Sequence, residues 1–252
     1  MKSARLDIDG GVGLLTLARP EARNVLDSSM VAEIQSAFDE AEARDDVSAV
    51  VVTGEGSAFC AGADLGLLAE GSRDDYLSIY EGFLRVARSP LATVAAVNGP
   101  GVGAGMNLAL CCDVRVVAES ARFVSRFSTL GLHPGGGHGW LVQRAAGPEI
   151  AKAMLLFGQE LRGDAIVAAG LALRCVPDAD VVTEAMAVAR QAGLVPRPLI
   201  ARMKDTLEHH IGVVDHYEAV DVEFEAQMWS REQPFFRESM DRFQKRGTRR
   251  PS

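Results

Sequence analysis

The sequence predicts an α/β protein: a parallel sheet covered by helices, followed by a helical C-terminal region. Short apolar runs alternate with amphipathic helical patterns through the first two thirds of the chain, which is typical of parallel sheets. The run at 48–54 is almost wholly apolar, so it is expected to form a strand buried on both faces. Strand signals end near Asp180, and helical patterns follow. These observations together predict the fold class.

The first predicted elements lie before the buried strand. The segment GVGLLTLARP at 11–20 predicts a strand closed by Pro20. A helix is predicted to follow, with Asp27 or Ser28 placed to cap its start. Apolar residues recur on one face of this helix at the expected spacing. They are Val31, Ile34, Phe38 and Ala41.

The later predicted elements continue the alternation and then change character. LATVAAV at 91–97 predicts another strand, GMNLALCCD a short helix, and VRVVAES a further strand. Four helices are predicted in the last quarter of the chain, and their segments are TEAMAVARQAG, PRPLIARMKDTLEHH, VVDHYEAVDVEFEAQMWS and PFFRESMDRFQKR. We therefore predict a core over residues 1–195 and a helical region over 196–252.

Composition narrows the class of protein. The chain has 252 residues, 48% hydrophobic and 24% charged, which suits a soluble globular protein. Its net charge of −8 argues against a nucleic-acid partner. No long uncharged apolar run and no secretory signal is present, so we expect a cytoplasmic protein that does not cross a membrane. The four cysteines lack CxxC pairs, so we expect them to be reduced and buried, with no metal site.

Two glycine-bearing corners carry the chemical signal. They are GSAFCAGADL at 56–65 and NGPGVGAGMNLAL at 98–110. Small residues at the end of a strand or the start of a helix leave backbone N–H groups without partners, and such groups suit a negative oxygen. Glycine and alanine also let a ligand carbonyl approach the backbone closely. The alternative is that both corners are only tight turns.

A second interpretation of the later corner is a dinucleotide-binding fingerprint. Gly99, Gly101 and Ala104 match the pattern G-x-G-x-x-A between a predicted strand and helix, and Glu119 follows at a suitable distance. This interpretation would make the protein an NAD-dependent enzyme. It leaves the earlier corner unexplained, whereas a site for a negative oxygen explains both corners.

Several segments, in order and spacing, resemble the crotonase (enoyl-CoA hydratase/isomerase) superfamily. They are LARPEARNVLDSSM, VVVTGEGSAFCAGADL, AAVNGPGVGAGMNLALCCDVRVVAESARF, LGLHPGGGHGWLVQRAAGPEIAKAMLLFG and AAGLALRCVP. The resemblance implies a core that is a spiral of ββα turns, with a helical C-terminal region that packs subunits into a homotrimer or hexamer. It also implies an acyl-CoA substrate and a lyase or isomerase of fatty acid metabolism. No cofactor is implied other than the coenzyme A that the substrate carries.

The resemblance also assigns roles to particular residues. It implies that the N–H groups of Ala63 and Ala104 form the oxyanion hole, between which the thioester carbonyl sits. A further set is implied to bind the substrate and its coenzyme A moiety. Its members are Ala22, Arg23, Ala61, Asp64, Leu65, Gly66, Gly103, Phe127, His133 and Pro134.

The sequence departs from the family where hydratases carry two glutamates. Asn107 and Phe127 stand at those positions, and neither side chain can act as a general acid or base. The aspartate that some isomerases place after the proline of the later segment is also missing, since Gly135 follows Pro134. Standard hydration is therefore not expected.

His138 is the candidate that could replace the missing acid-base groups, with Asn107 orienting a water or the acyl chain. Histidine transfers protons near neutral pH, and His138 follows a glycine-rich turn in the segment implied to face the acyl group. His133 lies in the same segment. Three functions stay open at this point: an acyl-CoA enzyme of altered chemistry, a non-catalytic acyl-CoA-binding protein, and an NAD-dependent enzyme.

Overall fold

The structure, a computed structural model, describes residues 2–213 and 215–247, and the side chains up to residue 242. The chain divides into two compact units, Met1–Gly193 and Leu194–Ser252. This division falls two residues before the boundary predicted from the sequence.

The larger unit is built on two sheets. Its strands are β1 (Ala4–Asp9), β2 (Val12–Leu17), β3 (Ala49–Gly54), β4 (Ala92–Val97), β5 (Pro100–Val102), β6 (Val114–Ala118), β7 (Arg122–Val124), β8 (Leu161–Arg162) and β9 (Arg174–Val176). The main sheet has the order β1-β2-β3-β4-β6-β9, and its neighbours are parallel except for the antiparallel pair β1 and β2. The small sheet has the order β5-β7-β8. The predicted parallel sheet is confirmed.

Helices cover the main sheet of the larger unit. They are α1 (Ser28–Ala43), α2 (Leu65–Glu70), α3 (Arg73–Ala87), α4 (Ala104–Leu110), α5 (His138–Phe157), α6 (Asp164–Ala168) and α7 (Val181–Arg190). Helix α1 packs against β1 and β2, and α7 packs against β3 and β4. The helix α5 contains a break at Gly147, where the backbone has φ of 80° directly before Pro148. A non-helical residue followed by a proline interrupts the hydrogen-bond ladder there.

Strand β3 is the centre of the core. All six of its residues are buried, and it pairs in parallel with β2 on one side and β4 on the other. Its one hydroxyl is satisfied, because Thr53 Oγ1 donates to the Ala96 carbonyl at 2.9 Å. The prediction that this run is buried on both faces is confirmed.

Helix α1 follows the predicted pattern. It begins at Ser28, and the Asp27 carboxylate caps it by accepting a hydrogen bond from the Met30 amide at 2.9 Å. Its buried residues include all four of the predicted apolar positions, Val31, Ile34, Phe38 and Ala41. Burial of this stripe against the sheet stabilises the helix more than its local propensity does.

The glycine-rich segment after β4 does not run directly into a helix. It first forms β5, which pairs with β7 in the small sheet. The backbone of β5 also bonds to Cys60, whose amide donates to the Pro100 carbonyl and whose carbonyl accepts from the Val102 amide. The glycines therefore approach the protein's own backbone. This geometry differs from the strand–turn–helix corner that a dinucleotide fingerprint requires, so it does not favour the NAD alternative.

The smaller unit consists of helices over its described residues. They are α8 (Arg197–His209), α9 (His216–Glu232) and α10 (Pro234–Gly247). Helix α9 packs against both α8 and α10, and the rings of Trp229 and Phe235 lie 6.3 Å apart. All four predicted C-terminal helices are present, but the first of them, α7, belongs to the larger unit.

The cysteines differ in part from the prediction. All four are free, and Cys60 and Cys112 are buried, but Cys111 and Cys175 are only half-buried. Burial raises the pKa of the Cys60 thiol to about 12, which keeps it protonated. Within residues 2–213 and 215–247, no helix combines the length and the apolar character that crossing a membrane requires.

Replacing Asp27 with alanine should destabilise the protein, because it removes the cap of α1 and the partner of Arg19. We expect the free energy of unfolding to fall by about 1–2 kcal/mol. Asp27→Asn keeps an oxygen for the Met30 amide and should lose less. Urea denaturation at neutral pH measures both values, and an asparagine variant as unstable as the alanine variant would contradict the capping role.

Candidate functional site

A cavity of about 310 Å³ lies within the larger unit, where the two glycine-bearing corners meet. Most of the predicted site residues line it. Those that do are Ala22, Arg23, Ala61, Ala63, Leu65, Gly103, Ala104, Asn107, Phe127 and His133. The rest of the wall is largely apolar and comes from residues outside the predicted set of site residues. They are Val25, Gly62, Leu67, Leu68, Tyr76, Ile79, Tyr80, Val102, Arg126, Leu130, Leu132 and Gly135.

Four predicted site residues do not line the cavity. Asp64 instead caps helix α2, where its carboxylate accepts from the Leu67 amide at 3.0 Å, and Gly66 lies exposed within that helix. Pro134 contributes its carbonyl, which bonds to the His133 ring at 2.8 Å. His138 is almost completely buried behind Asn107. The binding roles of Asp64, Gly66 and Pro134 therefore gain no support from the cavity wall and stay predictions.

The first corner is held by a short parallel pairing. The Leu26 amide donates to the Gly62 carbonyl at 2.8 Å, and the Asp64 amide donates to the Leu26 carbonyl at 3.1 Å. Both bonds flank Ala63, so in this parallel pairing the N–H of Ala63 itself points away from Leu26. In the described chain this N–H has no acceptor, and Ala63 lines the cavity.

A left-handed turn shapes the wall beside this corner. Arg23 and Asn24 have φ of 52° and 57°, a conformation that is uncommon outside glycine. The buried Asn24 amide stabilises the turn, because it donates to the Glu55 and Ala58 carbonyls and accepts from the Arg19 amide, at 2.9–3.0 Å. The Arg23 carbonyl then accepts from the Ala61 amide at 2.9 Å, which fixes the turn to the corner.

The second corner ends in the first turn of α4. Gly103 precedes the helix with φ of 51° and ψ of −112°, and its amide donates to the Val124 carbonyl at 2.9 Å. Ala104 is the first helical residue, so its N–H has no partner within the helix. Among the described residues no other group accepts from it, and Ala104 also lines the cavity.

The two corners are in direct backbone contact. A Cβ on Gly62 would lie 2.7 Å from the Val102 carbonyl oxygen and 3.8 Å from the Ala104 nitrogen. A Cβ on Gly105 would lie 2.1 Å from the Cys60 carbonyl oxygen. Only glycine fits at these two positions, and this close approach places the unpaired N–H groups of Ala63 and Ala104 on the same cavity.

A buried chain of hydrogen bonds joins Asn107, His138 and Ser125. His138 Nδ1 lies 2.6 Å from Asn107 Oδ1, and His138 Nε2 lies 2.6 Å from the Ser125 hydroxyl. The Asn107 amide nitrogen faces the Gly135 carbonyl at 3.4 Å, so Oδ1 must face the imidazole. His138 therefore donates from Nδ1 and accepts from Ser125 at Nε2.

Burial lowers the pKa of His138 to about 4, so the imidazole is neutral at pH 7. Both ring nitrogens are engaged inside the protein, and the ring packs edge-on against Phe127 at 4.9 Å. The expectation that His138 exchanges protons with a ligand is wrong in this geometry. Its place is behind Asn107, whose side chain it holds in one orientation.

His133 is the histidine that lines the cavity. It is exposed, and its Nδ1 bonds to the Pro134 carbonyl, which leaves Nε2 as the atom with a free lone pair. Arg23 and Arg126 are exposed and line the cavity as well. No aspartate or glutamate lines the described cavity, in agreement with the loss of both family carboxylates.

Helix α3 supplies three lining side chains, of which sequence reasoning missed Ile79 and Tyr80. Tyr76, Ile79 and Tyr80 line the cavity, and the Tyr76 hydroxyl donates to the Leu68 carbonyl at 2.6 Å. With Phe83 these residues recur at helical spacing, which was the available signal. Such a stripe is typical of a helix packed on a core, and only the tertiary structure separates its cavity-facing members from the buried ones.

Comparison with known proteins decides the family. A sequence profile of the enoyl-CoA hydratase/isomerase family matches residues 7–250. The probable enoyl-CoA hydratase EchA14 of Mycobacterium tuberculosis is 46% identical over 206 residues, which are 80% of each chain. The chain belongs to the enoyl-CoA hydratase/isomerase family.

Other relatives extend this result within the family. The 1,2-epoxyphenylacetyl-CoA isomerase of Escherichia coli is 34% identical over 197 residues, which are 75% of each chain. The crystal structure of an enoyl-CoA hydratase from Polaromonas sp. JS666 superposes with a TM-score of 0.89 and 27% identity, covering 99% of this chain and 98% of that one. The protein whose sequence is printed above therefore has the crotonase fold, as its sequence motifs predicted.

The buried neutral His138 predicts a pH-dependent stability. In the unfolded chain the His138 imidazole takes up a proton near pH 6.5, whereas in the folded protein it does so only near pH 4. The free energy of unfolding therefore falls as the pH drops between these values. We expect a loss of about 3 kcal/mol by about pH 4 from this group. The variant His138→Gln should lack this component of the slope.

Urea denaturation across this pH range, compared between the two proteins, measures the difference. His209→Gln is a matched control, because His209 is exposed on α8 and lies outside the buried chain of hydrogen bonds. Parallel slopes for wild type and His138→Gln would contradict the buried neutral state.

Proposed function

We propose that this family member binds an acyl-CoA thioester in the cavity and stabilises negative charge on the thioester oxygen. The observation that carries the proposal is the pair of unpaired N–H groups, from Ala63 and Ala104, on one cavity. Two fixed donors from separate corners suit one oxygen that becomes negative, as an enolate or a tetrahedral oxyanion. One such donor typically contributes about 2.7–4 kcal/mol of transition-state stabilisation.

The charges at the cavity support an acyl-CoA ligand. Arg23 and Arg126 are exposed and line the cavity of a protein whose net charge is −8. Exposed guanidinium groups beside a cavity suit the phosphates of coenzyme A. The apolar wall, which includes Leu65, Ile79 and Phe127, suits an acyl chain.

The side chains favour proton transfer next to the thioester over addition of water. No carboxylate lines the described cavity, and Asn107 cannot accept a proton from water. His133 presents Nε2 with a lone pair, and we assign it as the base that removes the α-proton while the two amides hold the enolate oxygen. The reaction proposed is thus of the isomerase or lyase type through an enolate.

Family membership alone supports several further proposals. We propose a homotrimer or hexamer in the cytoplasm, with a role in fatty acid metabolism and no cofactor beyond the coenzyme A of the substrate. The helices from α8 onward are proposed to pack between subunits.

The second candidate function is acyl-CoA binding without turnover. The observation that favours it is the apolar character of the cavity, which among the described residues has one lining imidazole, the exposed His133. Binding and turnover separate experimentally, because a non-catalytic protein would bind thioesters without exchanging their α-protons.

Ala104→Pro tests the enolate-stabilising role. Proline is tolerated at the first position of a helix, where it replaces the N–H with a ring carbon that cannot donate a hydrogen bond. Exchange of the α-protons of butyryl-CoA in deuterated water, followed by mass spectrometry, should occur in the wild type and slow about 10²–10³-fold in the variant. Ala104→Gly is the matched control, because it keeps the N–H and should slow exchange far less.

The outcomes separate the candidates. Exchange that survives Ala104→Pro in a variant of unchanged thermal stability would contradict the role of this amide. Binding without exchange in the wild type would favour the non-catalytic candidate, and absence of both would overturn the acyl-CoA proposal.

His133→Gln tests the assigned base. Glutamine keeps a polar side chain but cannot take up a proton, so exchange should slow about 10²–10⁴-fold. The measurement is the same α-proton exchange, with His138→Gln alongside. A larger loss in His138→Gln than in His133→Gln would mean that the two histidine assignments are reversed.

A further inference from the structure

Two polar side chains contact Gly135 at the cavity wall. They are different groups from the Ala63 and Ala104 amides. One is the Tyr80 hydroxyl on α3, and the other is the Asn107 carboxamide on α4. A Cβ on Gly135 would lie 2.2 Å from the Tyr80 hydroxyl oxygen, and the Gly135 carbonyl lies 3.4 Å from the Asn107 amide nitrogen. The two polar groups therefore meet at one glycine, although 27 residues separate them in the sequence.

Tyr80 lines the cavity, and its hydroxyl is free to bond to a ligand. This hydroxyl has no hydrogen-bond partner among the described residues, whereas the Tyr76 hydroxyl one turn earlier bonds to the Leu68 carbonyl. In the described chain the side-chain polar atoms that are both sealed from solvent and without a partner are Arg19 Nε and His210 Nε2. The Tyr80 hydroxyl is not among them, so it is accessible to solvent.

The Asn107 carboxamide is oriented by the protein and presents only donors. Its oxygen is occupied by the Nδ1–H of His138, and His138 is itself fixed by the Ser125 hydroxyl. One hydrogen of its NH₂ group faces Gly135 over a long 3.4 Å contact, which leaves the other hydrogen without a partner in the described chain. Asn107 lies one helical turn after Ala104, so this donor is close to the proposed position of the thioester.

The surroundings of these donors are largely apolar, and the charged side chains of the cavity wall, Arg23 and Arg126, are exposed. Ile79, Phe127 and Leu132 line the same cavity, and no carboxylate does so in the described chain. A polar group that loses water in such surroundings costs free energy unless the ligand replaces the lost hydrogen bond. A wholly hydrocarbon acyl chain would leave both donors without partners when it displaces water.

We infer that the acyl group carries an oxygen substituent, a ketone or a hydroxyl, close to the thioester, and that Tyr80 and Asn107 donate hydrogen bonds to it. The inference rests on the proposed acyl-CoA function and names the substrate class within it. Neutral donors match a neutral oxygen, and a site that bonds this oxygen binds the analogue that lacks it less tightly. Tyr80 and Asn107 thus act as specificity-determining residues.

Titration calorimetry with two matched thioesters tests the inference. Acetoacetyl-CoA carries a ketone oxygen on the carbon two positions from the thioester carbon, where butyryl-CoA carries only hydrogens. Wild-type protein should bind acetoacetyl-CoA about tenfold more tightly than butyryl-CoA, as expected for two modest hydrogen bonds. Tyr80→Phe removes one hydroxyl with little change of shape, and it should reduce this preference to about threefold.

Tyr76→Phe is the matched control, because its hydroxyl is already bonded to the Leu68 carbonyl. This variant should keep the preference of about tenfold. His138→Gln, which removes the support of Asn107, should reduce the preference as Tyr80→Phe does.

These measurements distinguish failure of the inference about the acyl group from failure of the proposed acyl-CoA function. Equal binding of the two thioesters by the wild type would overturn the inference and leave the acyl-CoA function standing. A preference that survives Tyr80→Phe unchanged would overturn the role of Tyr80. Failure of the wild type to bind either thioester would instead overturn the acyl-CoA function itself.

Discussion

The site depends on one constraint, the backbone contact between the two glycine-bearing corners. Gly62 and Gly105 allow this contact, because a Cβ on either would overlap a carbonyl oxygen of the facing segment. Strands β3 and β4, which pair in parallel inside the main sheet, deliver the two corners to the same edge. The proposed stabilisation of a negative oxygen follows from this approach, since it places the N–H groups of Ala63 and Ala104 on one cavity.

The polar groups around this space are neutral where the family's hydratases carry carboxylates. Asn107 takes one of those positions, and the chain through His138 to Ser125 fixes the direction of its hydrogen bonds. A buried imidazole with a pKa of about 4 is suited to hold a neighbour in place and poorly suited to exchange protons at pH 7. In the proposed function the two backbone amides stabilise an oxyanion, and the remaining side chains supply hydrogen-bond donors and the exposed histidine His133.

Much of this arrangement could be predicted from the sequence, because it depends on local pattern. The cap and buried face of α1, the fully buried β3 and the two glycine-bearing corners were all visible as residue types at fixed spacings. The neighbours of His138 were not visible, because Asn107 and Ser125 precede it in the chain by 31 and 13 residues. For the same reason Tyr80 was indistinguishable from a core residue until Gly135 was found against its hydroxyl. Local periodicity predicts which face of a helix is buried, and only tertiary contacts decide whether that face meets a core or a cavity.

A crystal structure of the protein with an unreactive acyl-CoA analogue tests the central claim most directly. The account predicts that the thioester oxygen, or the atom that replaces it, lies about 2.7–3.1 Å from the backbone nitrogens of both Ala63 and Ala104. A carbonyl oxygen bonded to only one of these amides, or an acyl group bound outside this cavity, would contradict it.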